Sequence, residues 1–175
     1  MDRYEIIKIP DPALKAVAKE VGTVDDAVRK QLDRMLETMY KAPGIGLAAN
    51  QVNILNRVLV MDIAQREDDT ASRDPLCIVN PEIIWKSEEL SIWEEGCLSI
   101  PGQFAEVERP LSVRVKYLGY DGKQKESVFT GLGSHCVQHE IDHLNGILFI
   151  DHLSTLKRNM IIKKFKKALK DSDAL

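Results

Sequence analysis

The sequence predicts an α+β fold, and three observations carry that prediction. An amphipathic helical pattern opens the chain, short strand patterns cluster in its middle, and two further helical patterns close it. Strands that alternated singly with helices would instead indicate βαβ units and a parallel sheet. The 175 residues show no internal repeat and no interdomain linker, so residues 1–175 are expected to form one domain.

The first element is set by Val24, Val28, Leu32, Met35, Leu36 and Met39, which recur at helical spacing. They predict an amphipathic helix from Asp25 to Lys41, ended by Pro43-Gly44. Gly44 to Gln51 follows as a Gly- and Ala-rich stretch. Gly44 and Gly46 permit close backbone approach, and Ala48 and Ala49 keep side-chain bulk away from a neighbour. A peptide could lie against the Ile45-Gly46 backbone as an added strand, although a plain helix-to-strand turn would look the same. No Lys-Ser/Thr pair follows, so this is not a phosphate-binding loop.

Val58-Leu59-Val60-Met61 and Ile78-Val79 are continuous apolar runs and predict buried strands. The polar stretch 65–74 between them predicts a solvated loop. Val113, Val115 and Tyr117 alternate with Arg114 and Lys116, and Asp121-Gly122 marks a hairpin turn before Val128-Phe129. Leu132, Ile141, Leu144 and Leu148 then stand at near-helical spacing, with Gly146 placed as a left-handed cap. From Leu153 to Leu169 a second stripe runs through Leu156, Met160, Ile161, Phe165 and Leu169, predicting a basic amphipathic helix over 153–170.

The richest chemistry lies in Gln138-His139-Glu140-Ile141-Asp142-His143. On a helix, residues four apart share a face, so His139 and His143 can direct two imidazoles at one metal ion. Glu140 is turned about 100° from His139 and flanks the ion, free to handle a proton. An ordinary buried helix with two hydrogen-bonded histidines would carry the same letters. A catalytic metal usually takes three protein ligands. His135 extends the column but lies about 12 Å of helix rise from His143, and Cys136 lies about 10 Å from it. Cys97, in Glu95-Gly96-Cys97-Leu98-Ser99, is the better third ligand, because a loop or strand crossing the helix can deliver it from the open side. Its bland alternative is a buried small apolar residue. No Glu follows His143, which excludes a thermolysin-like ligand set.

Gly44 to Gln51, Glu95 to Ser99 and Gln138 to His143 together resemble the three signature motifs of the peptide deformylase family, in the family's order and at compatible spacings. The resemblance runs from about Ile9 to Asp151. It implies small, mostly antiparallel sheets packed around a central metal-binding helix, with a helix at the C-terminus. It also implies removal of the formyl group from the N-terminal formyl-methionine of new polypeptides, releasing formate. Cys97, His139 and His143 would hold one divalent metal, and Glu140 would take a proton from the attacking water and pass it to the departing amine. The Gln51 amide and the Leu98 backbone N–H would serve the oxyanion. Ile45, Gly46, Gly96, His135 and Cys136 would contact the substrate. Ferrous iron is the implied ion in the cell, with zinc, nickel or cobalt in purified protein.

One stretch departs from the family pattern. The positions before Cys136 are usually apolar and border the methionine pocket, whereas here they read Leu132-Gly133-Ser134-His135. His152 reads as an ordinary surface or packing histidine. Lys157, Arg158, Lys163, Lys164, Lys166, Lys167 and Lys170 give the last helix a concentrated positive charge. That is either a solvated face or, as the resemblance suggests, a surface for docking on ribosomal RNA.

Composition limits the rest. A net charge of −3 with 29% charged residues excludes a dedicated nucleic-acid binder, so no DNA partner is expected. Three cysteines without a signal-peptide pattern or long apolar run indicate a reducing cytoplasm and no membrane association, with Cys77 and Cys136 as free thiols. Met-Asp-Arg-Tyr-Glu at the start is unlike a basic, Ser-rich transit peptide, which favours a bacterial cytoplasm. Two other readings compete: a general metallopeptidase, and a deformylase-like binding module. The Cys-plus-two-His set speaks against the first. The joint presence of Gln51, Cys97, His139, Glu140 and His143 speaks against the second.

Overall fold

The computed structural model of the chain describes residues 2–64 and 70–173. Helix α1 spans Asp26–Lys41, and the Asp25 carboxylate caps it by accepting the Val28 N–H at 2.9 Å. Its buried face carries Val28, Leu32, Met35 and Met39, each worth about 1.5–3 kcal/mol when fully withdrawn from water. The Gly44 N–H returns to the Met39 carbonyl and closes the helix where Pro43-Gly44 predicts its end.

Strands β1 (Gly46–Ala48), β2 (Val58–Met61), β3 (Leu76–Lys86), β6 (Ser112–Leu118) and β7 (Gln124–Thr130) form one sheet in the order β1-β2-β3-β6-β7, antiparallel throughout. Strands β4 (Leu90–Cys97) and β5 (Ile100–Pro110) form a separate antiparallel hairpin. Helix α2 (Leu132–Leu144) packs against β1, β2, β5 and β7. Helix α3 (Thr155–Asp173) closes the chain.

The continuous apolar run of β2 has a direct cause. Leu59 and Met61 pack with Val137, Ile141 and Leu144 of α2, while Val58 and Val60 pack with Leu32, Met35 and Met39 of α1. A strand covered on both faces has no polar side to show. The β6–β7 hairpin pairs Val113 with Phe129, and its turn holds Gly122 at φ +78°. A third apolar cluster joins Ile9 and Leu14 to Ile100, Val107, Phe149, Ile150, Ile161 and Phe165. It ties the β4–β5 hairpin to α3.

Two expectations change. Leu148 is not on α2, which stops at Leu144 with Asn145 at its C-cap. The Gly146 N–H bonds the His143 carbonyl at φ +74°, and Leu148 begins a 3-10 turn over Phe149–His152. The stripe on α3 is also narrower than its spacing suggests: Ile161 and Phe165 are buried, whereas Leu156 is 73% exposed and Met160 49%. Leu156 and Met160 therefore lie on the side of the helix left largely open to solvent. In the stretch 65–74, residues 65–69 lie outside the described residues and Thr70–Ser72 form a 3-10 turn. No described helix is long and apolar enough to cross a membrane.

Candidate metal centre and active site

Helix α2 presents His139 and His143 one turn apart, with ring centroids 5.0 Å apart. The β4–β5 hairpin brings Cys97 across them at its register shift between Gly96 and Cys97. The Cys97 sulfur stands 3.3 Å from His143 Nε2, and one donor atom from each of the three residues falls within 4.8 Å of the others. Tetrahedral zinc-type distances place ligand atoms roughly 3.5 Å from each other, so this cluster suits a single ion with little adjustment. His135 and Cys136 belong to the same helix but not to this cluster.

Protonation agrees with that use. Burial and the neighbouring His139 push His143 well below the usual imidazole value, leaving it neutral as a metal ligand must be. Its Nδ1 is buried without a protein partner among the described residues. Burial opposes charge on His139, but hydrogen bonds to Cys97 and Glu95 outweigh it and raise this ring well above the ordinary value. Metal binding there therefore releases a proton.

Glu95 fixes the ring of His139. Its Oε1 accepts from His139 Nδ1 at 2.9 Å, which turns Nε2 toward the ligand cluster. Arg109, 4% exposed, grips the same carboxylate through Nε at 2.7 Å and Nη2 at 3.0 Å. Its Nη1 reaches Asp142 at 2.8 Å, and Asp142 accepts from His152 at 2.8 Å. Burial works against the Glu95 charge, yet the bonds from His139 and Arg109 prevail and hold the carboxyl well below the usual range. Removing one member of such a buried pair typically costs about 3–5 kcal/mol.

Glu140 is buried beside the cluster, with Oε1 3.8 Å from His139 Nε2 and Oε2 without a protein partner among the described residues. Burial pushes its carboxyl up to about 7, the range suited to proton transfer at neutral pH. Gln51 sits in a 3-10 turn, Ala49–Val52, directly after β1. Its Oε1 accepts the Ala48 N–H at 3.0 Å, so its amide nitrogen is turned inward, 3.5 Å from the Cys97 sulfur and 3.1 Å from Ser99 Oγ. The side chain thus presents N–H groups to the site.

A cavity of about 600 Å³ opens onto these groups, lined among others by Ile45, Gly46, Gly96, Leu98, His135 and Cys136. Gly46 is required by its surroundings, since a Cβ there would stand 2.9 Å from Glu140 Cγ and 3.0 Å from Cys136 Sγ. Burial and the nearby Glu140 and Glu95 push the Cys136 thiol well up, which keeps it protonated. His143 is fully buried. Sequence reasoning missed Glu95, Arg109 and the rim aromatics Trp93 and Phe104. Glu95 did carry a signal: two residues before Cys97 on a strand, it takes the same face.

A family model described as polypeptide deformylase matches residues 3–159. The chain belongs to the polypeptide deformylase family. Members of that family are metal-dependent hydrolases, and this one removes the N-formyl group from the N-terminal formyl-methionine of nascent polypeptides, releasing formate. A peptide deformylase of Methylocella silvestris is 60% identical over 165 residues, covering 94% of this chain and 84% of the relative. The crystal structure of peptide deformylase from Ehrlichia chaffeensis superposes with a TM-score of 0.91 at 40% identity, covering 99% of this chain and 100% of that one. A second structure from that organism, in complex with actinonin, gives a TM-score of 0.89 at 42% identity, covering 96% and 98%. These likenesses extend the deformylase fold over nearly the whole chain.

Proposed function

We propose that this deformylase works as a single domain, residues 1–175, with Cys97, His139 and His143 as the metal ligands and Glu140, Gln51 and Leu98 as the groups acting on the formyl amide. The observation that carries this is the meeting of three donor atoms within 4.8 Å beside a buried carboxylate. A divalent ion there supplies Lewis acidity, which makes water a nucleophile near neutral pH. One thiolate and two imidazoles suit ferrous iron, the ion we assign in the cell, with zinc, nickel or cobalt taking its place in purified protein.

The peptide lies along the outer edge of β1 at Ile45-Gly46, where β1 ends the sheet and can take an added strand. Gly96, His135 and Cys136 complete the walls around the residue bearing the formyl group. The Gln51 amide and the Leu98 backbone N–H receive the negative charge that develops on the formyl oxygen, each donor worth about 3 kcal/mol of transition-state stabilisation. Glu140 takes the proton of the attacking water and returns it to the leaving amine. Actinonin, bound in the Ehrlichia chaffeensis structure, should occupy the same cavity here.

Metal content measured anaerobically, with formyl-Met-Ala turnover on the same sample, tests this reading. One ion per chain and a rate that follows occupancy are expected. Turnover that persists after chelation overturns it.

We further propose that the enzyme works in the cytoplasm and that α3 docks on ribosomal RNA. Its lysines 157, 163, 164, 166, 167 and 170 are all exposed, and Leu156 and Met160 remain uncovered beside them. Phosphate-dominated binding falls steeply with salt. Reversing several of these lysines to Glu should abolish ribosome co-sedimentation while formyl-peptide hydrolysis survives. Co-sedimentation that survives the reversal at low salt refutes the docking.

A further inference from the structure

His135 lines the active-site cavity, but neither of its nitrogens is available to a substrate. The ring is 1% exposed, with Nδ1 at 2.9 Å from Glu95 Oε2 and Nε2 at 2.9 Å from Ser91 Oγ. An ionised carboxylate only accepts, so Nδ1 carries the proton given to Glu95, and in the neutral ring Nε2 accepts the Ser91 hydroxyl proton. Strand β4 supplies both partners. Ser91, Trp93 and Glu95 are alternate residues on one face, and all three meet His135, with the Trp93 ring 6.2 Å from it.

The same carboxylate orients the metal ligand. His135 and His139 are one turn apart on α2, so their Nδ1 atoms face Glu95 together, His135 on Oε2 and His139 on Oε1. Arg109 completes both oxygens from the other side. Without His135, Oε2 keeps Arg109 Nε alone, and the plane that aims His139 loses one of its anchors.

We propose that His135 is a positioning residue for the metal centre, acting through Glu95 on His139 and held in place by Ser91. This rests on the ligand assignment above. The Ser91–His135–Glu95–His139 chain fixes the tautomer of His139 from a second direction, so that Nε2 is presented to the ion without rearrangement. Outer partners of metal ligands typically contribute 10–100-fold in metal affinity or activity. His135 stands one bond further out, and the low end of that range, about tenfold, is expected.

The test measures the nickel dissociation constant by chelator competition and the visible spectrum of the cobalt-loaded protein, alongside kcat and KM. His135→Phe keeps a ring against Trp93 but removes the donor, and should weaken nickel binding about tenfold and shift the cobalt bands. His135→Gln restores a donor within reach of Glu95 and should recover most of the affinity. A His135→Phe protein with native affinity and a native cobalt spectrum overturns the proposal, even if KM moves, because the residue is then only a wall of the cavity. Should His135→Phe fail to fold by circular dichroism, Ser91→Ala decides. It removes the outer anchor alone and should still weaken nickel binding, and native affinity in that variant overturns the proposal. Cys97→Ser separates this outcome from failure of the ligand assignment, since native metal binding by Cys97→Ser breaks the assignment itself.

Discussion

Replacing Gly46 with Ala adds one methyl group directly against Glu140 and Cys136. Its Cβ would stand 2.9 Å from Glu140 Cγ and 3.0 Å from both Glu140 Cδ and Cys136 Sγ. Carbon atoms in ordinary contact are about 3.5 Å or more apart, so something must retreat by roughly 0.6 Å. Cys136 and Glu140 are both buried on α2, and the only room beside them is the cavity in which the substrate must lie. Overpacking of this kind costs about 1–3 kcal/mol in stability. The catalytic loss should be as large, because a misplacement of about 1 Å can cost 10²-fold in rate. A fall of roughly 10–100-fold in kcat/KM for a formyl-Met peptide is expected, with metal content unchanged. Two glycines serve as controls. At Gly44 a Cβ would meet only the Leu98 side chain, first at Cδ1 and 2.7 Å, which can swing aside, and at Gly22 it would meet nothing within 4 Å. Gly44→Ala should therefore lose less than Gly46→Ala, and Gly22→Ala should match the native rate. Native activity in Gly46→Ala would refute the placement of Glu140 beside the β1 edge.

Other perturbations address separate links. Cys97→Ser should lose most of its metal while Cys136→Ser retains it, as read by metal analysis after gel filtration; equal retention refutes the ligand assignment. Glu140→Ala should keep the metal and lose at least ~10²-fold in turnover, and an active variant with an unchanged pH profile rules out its role as base. Burial raises the Glu140 carboxyl to about 7, and a base must be ionised, so kcat/KM should fall with falling pH. A nearby divalent cation favours the carboxylate and places that limb at or below pH 7. A rate that rises on acidification would be incompatible with this. Gly146→Ala puts a Cβ at φ +74° against the Lys15 backbone carbonyl. At least ~1–2 kcal/mol should be lost, lowering the melting temperature by roughly 2–4 °C for each kcal/mol in a chain of this size, and an unchanged melting curve contradicts the αL cap.

Helices α1 and α2 and the β6–β7 hairpin were legible because each has a buried face with the period of its own element, and β2 because a strand covered on both faces is apolar throughout. The β4–β5 hairpin was not. It is exposed along Leu90, Ile92 and Phe104, pairs Glu94 against Glu106, and so shows no clean alternation of apolar and polar residues. The buried Glu95–Arg109–Asp142 network was hidden for a related reason, since charged letters read as surface until a partner is known. The deformylase motifs named the cluster at Cys97, His139 and His143 correctly as to proximity, but no local pattern states that a strand lays its cysteine over a helix. On α3 the periodicity was real but only Ile161 and Phe165 of its stripe are buried, because packing depends on what lies opposite.

The β4–β5 hairpin pairs with no other strand among the described residues, and two-stranded hairpins are marginally stable alone. Its cysteine and the histidines of α2 would share one ion, which makes the ion a hasp between two parts of the molecule. Binding only to the closed arrangement, it stabilises that arrangement by RT ln(1 + [metal]/Kd). Loss of the ion then removes more than reactivity. It would loosen the Cys97 end of the β4–β5 hairpin, leaving the apolar cluster of Ile100 and Phe165 and the Glu95–Arg109–Asp142 bonds to hold the rest, so the turn at Cys97–Ile100 would be the first place to open.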